Sequence, residues 1–406
     1  MPDYPVPRIF HMMAKPTGPR CNINCSYCYY LEKDALYPRE KKFRMSRDVL
    51  DAYIRQMIDA ATGARQNEVL FAWHGGEPML AGLDFYRKAV VLQHKYAPSG
   101  MQVLNTMQTN ATLINEDWAR FLAEHDFLMG VSVDGPRAVH DRYRLDRAGR
   151  PTFTTTLHGL DLLLTHGVEV NLLTVVHRHN AGKARAMYRF LRGLGTAHLQ
   201  FIPIVERATE GGKLAAAPQV DMDPANAVTP WSVSPRAYGK FLCDIFDMWF
   251  RKDVGRLHIQ YFEEMLGTYL GRPASLCIYA ETCGNALVME HNGDVYACDH
   301  FVYPEFRQGN IKRTSLATLA RRPEMQQFGQ NKKASLTKQC RTCTFRLACN
   351  GGCPKHRFLT ARDGEPGQSY FCESYTMFFR HAGERLGQMA ALLRQRRPAS
   401  DIYRGR

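Results

Sequence analysis

Nowhere in this chain of 406 residues does an apolar run approach the roughly 20 residues a helix needs to cross a bilayer, so no membrane partner is expected. Its start, MPDYPVPRIF, shows no charged n-region, apolar h-region or cleavage site, which points to a reducing, cytoplasmic compartment. Negative charge is scarce: 39 Asp and Glu against 53 Lys and Arg leave a formal net charge of +14. That excess does not imply a nucleic-acid partner, because the basic residues are scattered and no nucleic-acid motif accompanies them. It fits a well-solvated surface or attraction to an acidic partner, and residues 394–398 (RQRRP) read as a basic tail. No short repeat is visible.

Cysteine, by contrast, is plentiful, with twelve in unequal groups. Cys21, Cys25 and Cys28 read C-x3-C-x2-C within CNINCSYC. Three thiols leave one unpaired in any disulfide scheme, whereas three thiolates suit a cubane iron–sulfur cluster with one iron left open. A zinc site completed by a histidine such as His11 is the alternative. Cys243 stands alone in the apolar stretch FLCDIFDMWF and reads as a small buried hydrophobe. Eight more fall late: Cys277, Cys283 and Cys298, then Cys340, Cys343, Cys349 and Cys353, then Cys372. Four disulfides would suit a secreted protein, and two zinc ribbons would suit the C-x2-C pair. Two additional four-cysteine clusters suit the company of the first motif.

Apolar runs at 69–73, 103–107, 128–133, 168–176 and 199–205, with a first near 9–14, predict buried strands. Helical patterns lie between them: one capped by Ser46, then 83–96, 115–124, 155–165 and 181–194. This alternation predicts an α/β fold of six right-handed βαβ units, a partial barrel. Residues 206–234 have no apolar period and read as a long loop, either a substrate-contacting lid or a plain insertion. The expected organisation is a partial barrel over 1–234, a helical linker over 235–275, a cysteine-rich domain over 276–375 and a C-terminal helix with basic tail over 376–406.

Short motifs fall at the strand ends, where open α/β folds place their ligands. They are His74-Gly75-Gly76-Glu77-Pro78, Gln108-Thr109-Asn110 and Ser132-Val133-Asp134-Gly135. Each alone is compatible with a polar turn. In this order after the cysteine triad, they resemble the radical S-adenosylmethionine (radical SAM) enzymes. The eight later cysteines resemble the SPASM auxiliary-cluster domain. The stretches AKPTGPRCNINCSYCYYLEK, FAWHGGEP, QTNAT, SVDGP, QFIPIVE and NGDVYACDHFVYPEF look like the anaerobic sulfatase-maturating enzymes, over nearly the whole chain.

That resemblance implies oxidation of an active-site cysteine or serine of a sulfatase, in a C/S-x-P-x-R segment, to Cα-formylglycine. It implies S-adenosylmethionine and three [4Fe–4S] clusters as cofactors. Cys21, Cys25 and Cys28 would hold the first cluster, Cys277, Cys283, Cys298 and Cys353 a second, and Cys340, Cys343, Cys349 and Cys372 a third. Gly76, Gln108, Ser132, Arg144 and Val205 would border S-adenosylmethionine, with Tyr30 against its adenine or else in the core. A 5′-deoxyadenosyl radical would remove the Cβ hydrogen, Asp299 would take the substrate proton, and an auxiliary cluster would take the electron. Without the resemblance, Asp299 reads as a turn or cap residue. The implied partners are a sulfatase polypeptide and an electron donor such as a flavodoxin or ferredoxin. Another SPASM peptide maturase, forming thioether or carbon–carbon cross-links, and a non-enzymatic metal scaffold are the competing readings. Ala111 departs from the family's frequent glycine after QTN.

Overall fold

The computed structural model describes residues 11–38, 40, 42–223 and 227–403. Strands run in chain order as β1 (His11–Ala14), β2 (Glu68–Trp73), β3 (Gln102–Thr109), β4 (Phe127–Ser132), β5 (Val170–Val176) and β6 (His198–Pro203). The two-residue strands β7 (Arg207–Ala208), β8 (Ala227–Val228) and β9 (His258–Ile259) follow, then β10 (Ala286–Met289), β11 (Asp294–Tyr296) and β12 (Arg307–Asn310). The six expected strands are β1 to β6; residues 9 and 10 of the first lie outside the described residues. Helices separate them as the periodicity predicts. Ser46 Oγ accepts the Val49 N–H and caps Arg47–Gly63, whose Val49, Leu50, Tyr53, Ile54, Met57 and Ile58 are buried. Asn115 caps Glu116–Glu124 in the same way, through the Trp118 N–H.

The described chain forms two compact units, each drawn from several stretches. The first takes residues up to Ser132, Asp141–Val170 and Gly284–Gln330; the second takes Val133–His140, Asn171–Cys283 and the chain from Asn331 onward.

In the first unit the strand order is β12-β11-β10-β1-β2-β3-β4. β10 through β4 run parallel, and β11 and β12 extend them antiparallel. β1 is therefore not an edge strand, as six units alone would have made it. Its other neighbour is β10, ALVM, a four-residue apolar run inside the cysteine-rich stretch, with Leu287, Val288 and Met289 buried. Lys15, His74 and Asn110 follow directly on β1, β2 and β3, so their side chains gather at one end of the sheet.

In the second unit β5, β6 and β9 are parallel. The helices Pro235–Lys252 and Cys372–Arg394 pack closely: a Cβ on Gly239 would lie 2.9 Å from Ser374 Cα, and Phe246 meets Phe378 edge-on at 5.6 Å. The stretch expected as a long loop is partly stapled. β7 and β8 pair antiparallel, Arg207 donates to the Ala216 carbonyl at 2.9 Å, and Lys355 bridges to Glu206 at 2.6 Å. Among the described residues, no helix is long and apolar enough to cross a membrane.

Candidate functional site

The Cys21–Cys28 loop is held from three sides. Asn24 N–H donates to the Leu145 carbonyl at 2.7 Å, and Arg147 Nε donates to the Cys21 carbonyl at 2.7 Å. From the end of β3, Asn110 Nδ2 donates to Asn22 Oδ1 at 2.9 Å and lies 3.7 Å from Cys21 Sγ. The HGGEP turn closes the third side: Gly76 N–H bonds the Gly18 carbonyl and Glu77 N–H the Arg20 carbonyl, both at 2.8 Å. A Cβ on Gly76 would sit 2.1 Å from the Arg20 carbonyl oxygen. Glycine is required there because the chain approaches itself, just before the first cysteine.

Glu77, absent from the sequence-based candidates, organises this end of the sheet. Its carboxylate is 1% exposed and accepts from Thr109 Oγ1 at 2.9 Å, Asn110 N–H at 2.9 Å and Met79 N–H at 3.1 Å. Burial pushes its pKa up to about 7, against the pull of those donors and of Arg144. Burial and the Glu77 charge push the Cys21 thiol up to about 12, with Cys28 adding to the rise and Arg144 opposing it. Such a thiol stays protonated in water at neutral pH, whereas a bound metal would ionise it. Glu77, Cys28 and Arg144 thus all act on Cys21. Ser132 is buried at the end of β4.

A second cluster of the first unit surrounds Asp299. Lys15 Nζ forms an ion pair with Asp299 Oδ1, and the Tyr29 hydroxyl donates to Oδ2. Burial alone would raise the carboxyl, but the Lys15 charge beside it outweighs that and holds the group well below the usual carboxylate range. Burial and Asp299 keep Tyr29 protonated and therefore a donor. The Gly75 N–H donates to His74 Nδ1 at 2.7 Å, so the ring proton sits on Nε2 and meets Gln108 Oε1 at 2.7 Å. Burial lowers the pKa of His74 and keeps it neutral. Gln108 therefore orients a histidine beside Asp299.

Tyr30 meets a different arrangement from an adenine platform. Its ring is buried with Val288, Tyr296 and Val302, Lys15 Nζ lies 3.2 Å over its face, and its hydroxyl donates to Glu290 Oε1. The ring quadrupole attracts the ammonium that covers its face. Val205 is buried after β6 and belongs to the second unit.

The second unit gathers seven thiols. Cys340, Cys343, Cys349 and Cys372 line one cavity of about 360 Å³; burial, with the neighbouring thiols adding, pushes Cys349 up to about 12 and raises Cys372. Burial raises Cys277, Cys283 and Cys353, with Cys277 adding to the rise of Cys353, and burial and Cys353 together push Cys283 up to about 12. Two groups of soft donors, drawn together and mutually repelling as thiolates, fit polynuclear iron better than separate thiols. Cys298 lies in the first unit, directly before Asp299. Among the described residues no disulfide joins any of the cysteines, and no three His, Cys, Asp or Glu side chains close on a single ion. Lys332, likewise absent from the candidates, donates from Nζ to the Cys277 carbonyl at 2.6 Å; burial pulls it down to about 8. A lysine among polar neighbours in QNKKA carries no sequence signal for this, whereas the acid of HGGEP was in view and only its weight was missed.

Comparison with known proteins agrees with this geometry. The family described as the Radical SAM superfamily matches residues 16–191, and SPASM, an iron–sulfur cluster-binding domain, matches 277–344. The chain is 42% identical over 400 residues to a serine-type anaerobic sulfatase-maturating enzyme of Bacteroides thetaiotaomicron, covering 98% of this chain and 95% of that one. It is 33% identical over 386 residues to a cysteine-type anaerobic sulfatase-maturating enzyme of Clostridium perfringens, covering 93% and 98%. Its structure is similar to that of native anSMEcpe with bound AdoMet and Cp18Cys peptide, with a TM-score of 0.81 and 32% identity over 94% of this chain and 99% of that one.

Proposed function

The chain belongs to the anaerobic sulfatase-maturating enzymes, and from that premise we propose that it oxidises a serine of a sulfatase S-x-P-x-R segment to Cα-formylglycine. It is a radical SAM enzyme of sulfatase maturation whose cofactors are S-adenosylmethionine and three [4Fe–4S] clusters. Serine is favoured over cysteine because the serine-type relative is 42% identical and the cysteine-type one 33%.

One observation carries the reading: a carboxylate kept ionised and aimed by Lys15 and Tyr29, directly after a cysteine of the auxiliary set. When bound, the cofactors supply a 5′-deoxyadenosyl radical that removes a Cβ hydrogen atom and an auxiliary cluster that takes up one electron. Asp299 receives the hydroxyl proton. Its weak basicity suffices, because a hydroxyl on a carbon radical is far more acidic than on a saturated carbon. Lys15 and Tyr29 fix both carboxylate oxygens, and Tyr30 and Glu290 support Lys15 from behind. His74 stays neutral and so does not neutralise the base.

Cys21, Cys25 and Cys28 are assigned to the first cluster, Cys277, Cys283, Cys298 and Cys353 to a second, and Cys340, Cys343, Cys349 and Cys372 to the third. Gly76, Gln108, Ser132, Arg144 and Val205 are assigned to the surroundings of S-adenosylmethionine, with Glu77 as a carboxylate for its cationic end. Residues 1–234 and 276–375 are the corresponding functional segments, and a flavodoxin or ferredoxin is the proposed reductant.

The test is anaerobic incubation of the iron-reconstituted protein with S-adenosylmethionine, dithionite and peptides carrying S-x-P-x-R or C-x-P-x-R. We expect the serine peptide to lose the mass of two hydrogen atoms and to gain a carbonyl reactive toward hydrazines. S-adenosylmethionine cleavage with neither peptide oxidised would overturn the assignment, and preference for the cysteine peptide would overturn the serine choice.

A further inference from the structure

Lys332 and Arg357 are buried cations of the second unit for which the chemistry above has no use, 0% and 4% exposed. Lys332 Nζ donates to three carbonyls of one loop, those of Cys277 at 2.6 Å, Ile278 at 3.0 Å and Ala280. Arg357 spans the tripeptide between Cys349 and Cys353. Its Nε donates to the Gly351 carbonyl at 3.0 Å, and Nη2 to those of Asn350 at 2.9 Å and Gly352 at 3.3 Å. Its Nη1 reaches the Lys332 carbonyl at 2.6 Å and Ser335 Oγ at 3.1 Å, which ties the two cations together.

Carbonyl oxygens satisfy the donors but not the charge. The ionisable groups acting most strongly on Lys332 are Cys283, Arg357, Cys353 and Cys277; those acting on Arg357 are Cys340, Cys353, Cys349 and Cys283. No carboxylate is among them. Two like charges held together out of water are costly unless an anion of comparable size faces them. A thiolate-ligated cluster is such an anion, and it becomes more negative when it gains an electron. The two cations divide the work. Lys332 faces the Cys277, Cys283 and Cys353 group alone, while Arg357 faces members of both groups.

We propose that Lys332 and Arg357 form a fixed cation pair that raises the reduction potential of the auxiliary clusters, Lys332 at one cluster and Arg357 at both. The proposal rests on the reading that those thiolates hold clusters. In the reaction, one electron leaves the substrate carbon radical as its hydroxyl proton passes to Asp299, and one cluster is reduced by that electron. A nearby positive charge favours the reduced form. Arg357, placed between the groups, lowers the cost of an electron on either and so of passing it from one to the other. Lys332 and Arg357 are thus positioning residues for charge and touch no substrate.

The test uses the reconstituted holoenzyme without substrate, following each cluster by electron paramagnetic resonance during a potentiometric titration. Lys332→Met should disfavour reduction of one auxiliary cluster about tenfold, a shift of ~59 mV to lower potential for a one-electron couple, and leave the other unmoved. Lys332→Arg should retain the parent value, and Arg357→Gln should move both clusters. Lys332→Gln, which keeps donors for the carbonyls, takes the place of Lys332→Met if that variant loses iron. Iron-replete neutral variants with parent potentials would overturn the proposal even if the parent makes formylglycine. A parent that makes none, with potentials that shift as described, would overturn the maturation reading and leave the cation pair standing.

Discussion

The thiols of the first unit and those of the second lie in opposite electrostatic surroundings. Cys21 has the Glu77 carboxylate, the Asn110 and Asn22 amides and Arg144 around it, and beyond them the Asp299 carboxylate with its own lysine. In the second unit Cys277, Cys283 and Cys353 act on Lys332, and Cys283, Cys340, Cys349 and Cys353 on Arg357, with no carboxylate among the strongest neighbours of either cation. One ligand type thus serves two purposes, set by what surrounds the sulfur rather than by the sulfur itself. Buried acids suit a cationic, sulfonium-bearing substrate and the receipt of a proton. Buried cations suit the storage of an electron. In the proposed reaction the first unit would do the proton and hydrogen-atom work, and the second would keep the electron.

The largest effect that sharpens this contrast comes from the triad. Replacing Cys21, Cys25 and Cys28 by alanine should remove about one third of the iron, if three clusters are filled, and abolish S-adenosylmethionine cleavage. Retained cleavage would move the reductive chemistry elsewhere. Cys340→Ala should show the complementary loss: iron falls and product formation drops at least about tenfold, while the first unit still cleaves S-adenosylmethionine. Normal product formation by a soluble, iron-depleted Cys340→Ala would break the division of labour.

Lys15→Met comes next, read as stability. It leaves the Asp299 carboxylate buried without its cation, which costs about 3–5 kcal/mol at neutral pH by denaturant unfolding. The sign with pH follows from the depressed pKa of Asp299. A carboxyl more acidic in the fold than its ordinary 3.8 stabilises above that value, and this contribution is lost as pH falls through the acid range. Lys15→Met should therefore flatten the acid limb of the stability profile, and an unchanged limb would mean the pair is not what keeps Asp299 ionised. The smallest effect is at Ala111, which is buried at φ +60° where the family favours glycine. Left-handed backbone costs a non-glycine residue about 1–2 kcal/mol, and the entropy of glycine offsets part of that. Ala111→Gly should stabilise by up to about 1 kcal/mol in thermal unfolding.

How much of this could be read beforehand depended on distance along the chain. β2 to β6 and their helices followed from local period, since each buries a face that recurs every two or 3.6 residues. β10 did not, because four apolar residues among cysteines and glycines give no period; only its pairing with β1 makes it a strand. The cysteine groups and the role of Asp299 were legible through the family resemblance, since spacing alone left zinc sites and a turn residue open. Lys15 was not, because AKPT gives no hint that its ammonium meets an acid from the far end of the chain. Tyr30 was legible as an aromatic by the loop, but whether core or cofactor covered its ring depended on Lys15. Lys332 and Arg357 look in sequence like two more members of a basic excess.

The division of labour is tested most directly by Asp299→Asn, which keeps the shape of the side chain but cannot accept a proton. The measurement is the ratio of formylglycine to 5′-deoxyadenosine in one anaerobic incubation with the serine peptide. In the parent we expect the two to form together. In Asp299→Asn we expect 5′-deoxyadenosine to persist while formylglycine falls by roughly two to four orders of magnitude, the usual worth of a positioned base. A variant that makes both products in the parent ratio would contradict the assignment, leaving Asp299 a partner for Lys15 and the proton acceptor elsewhere.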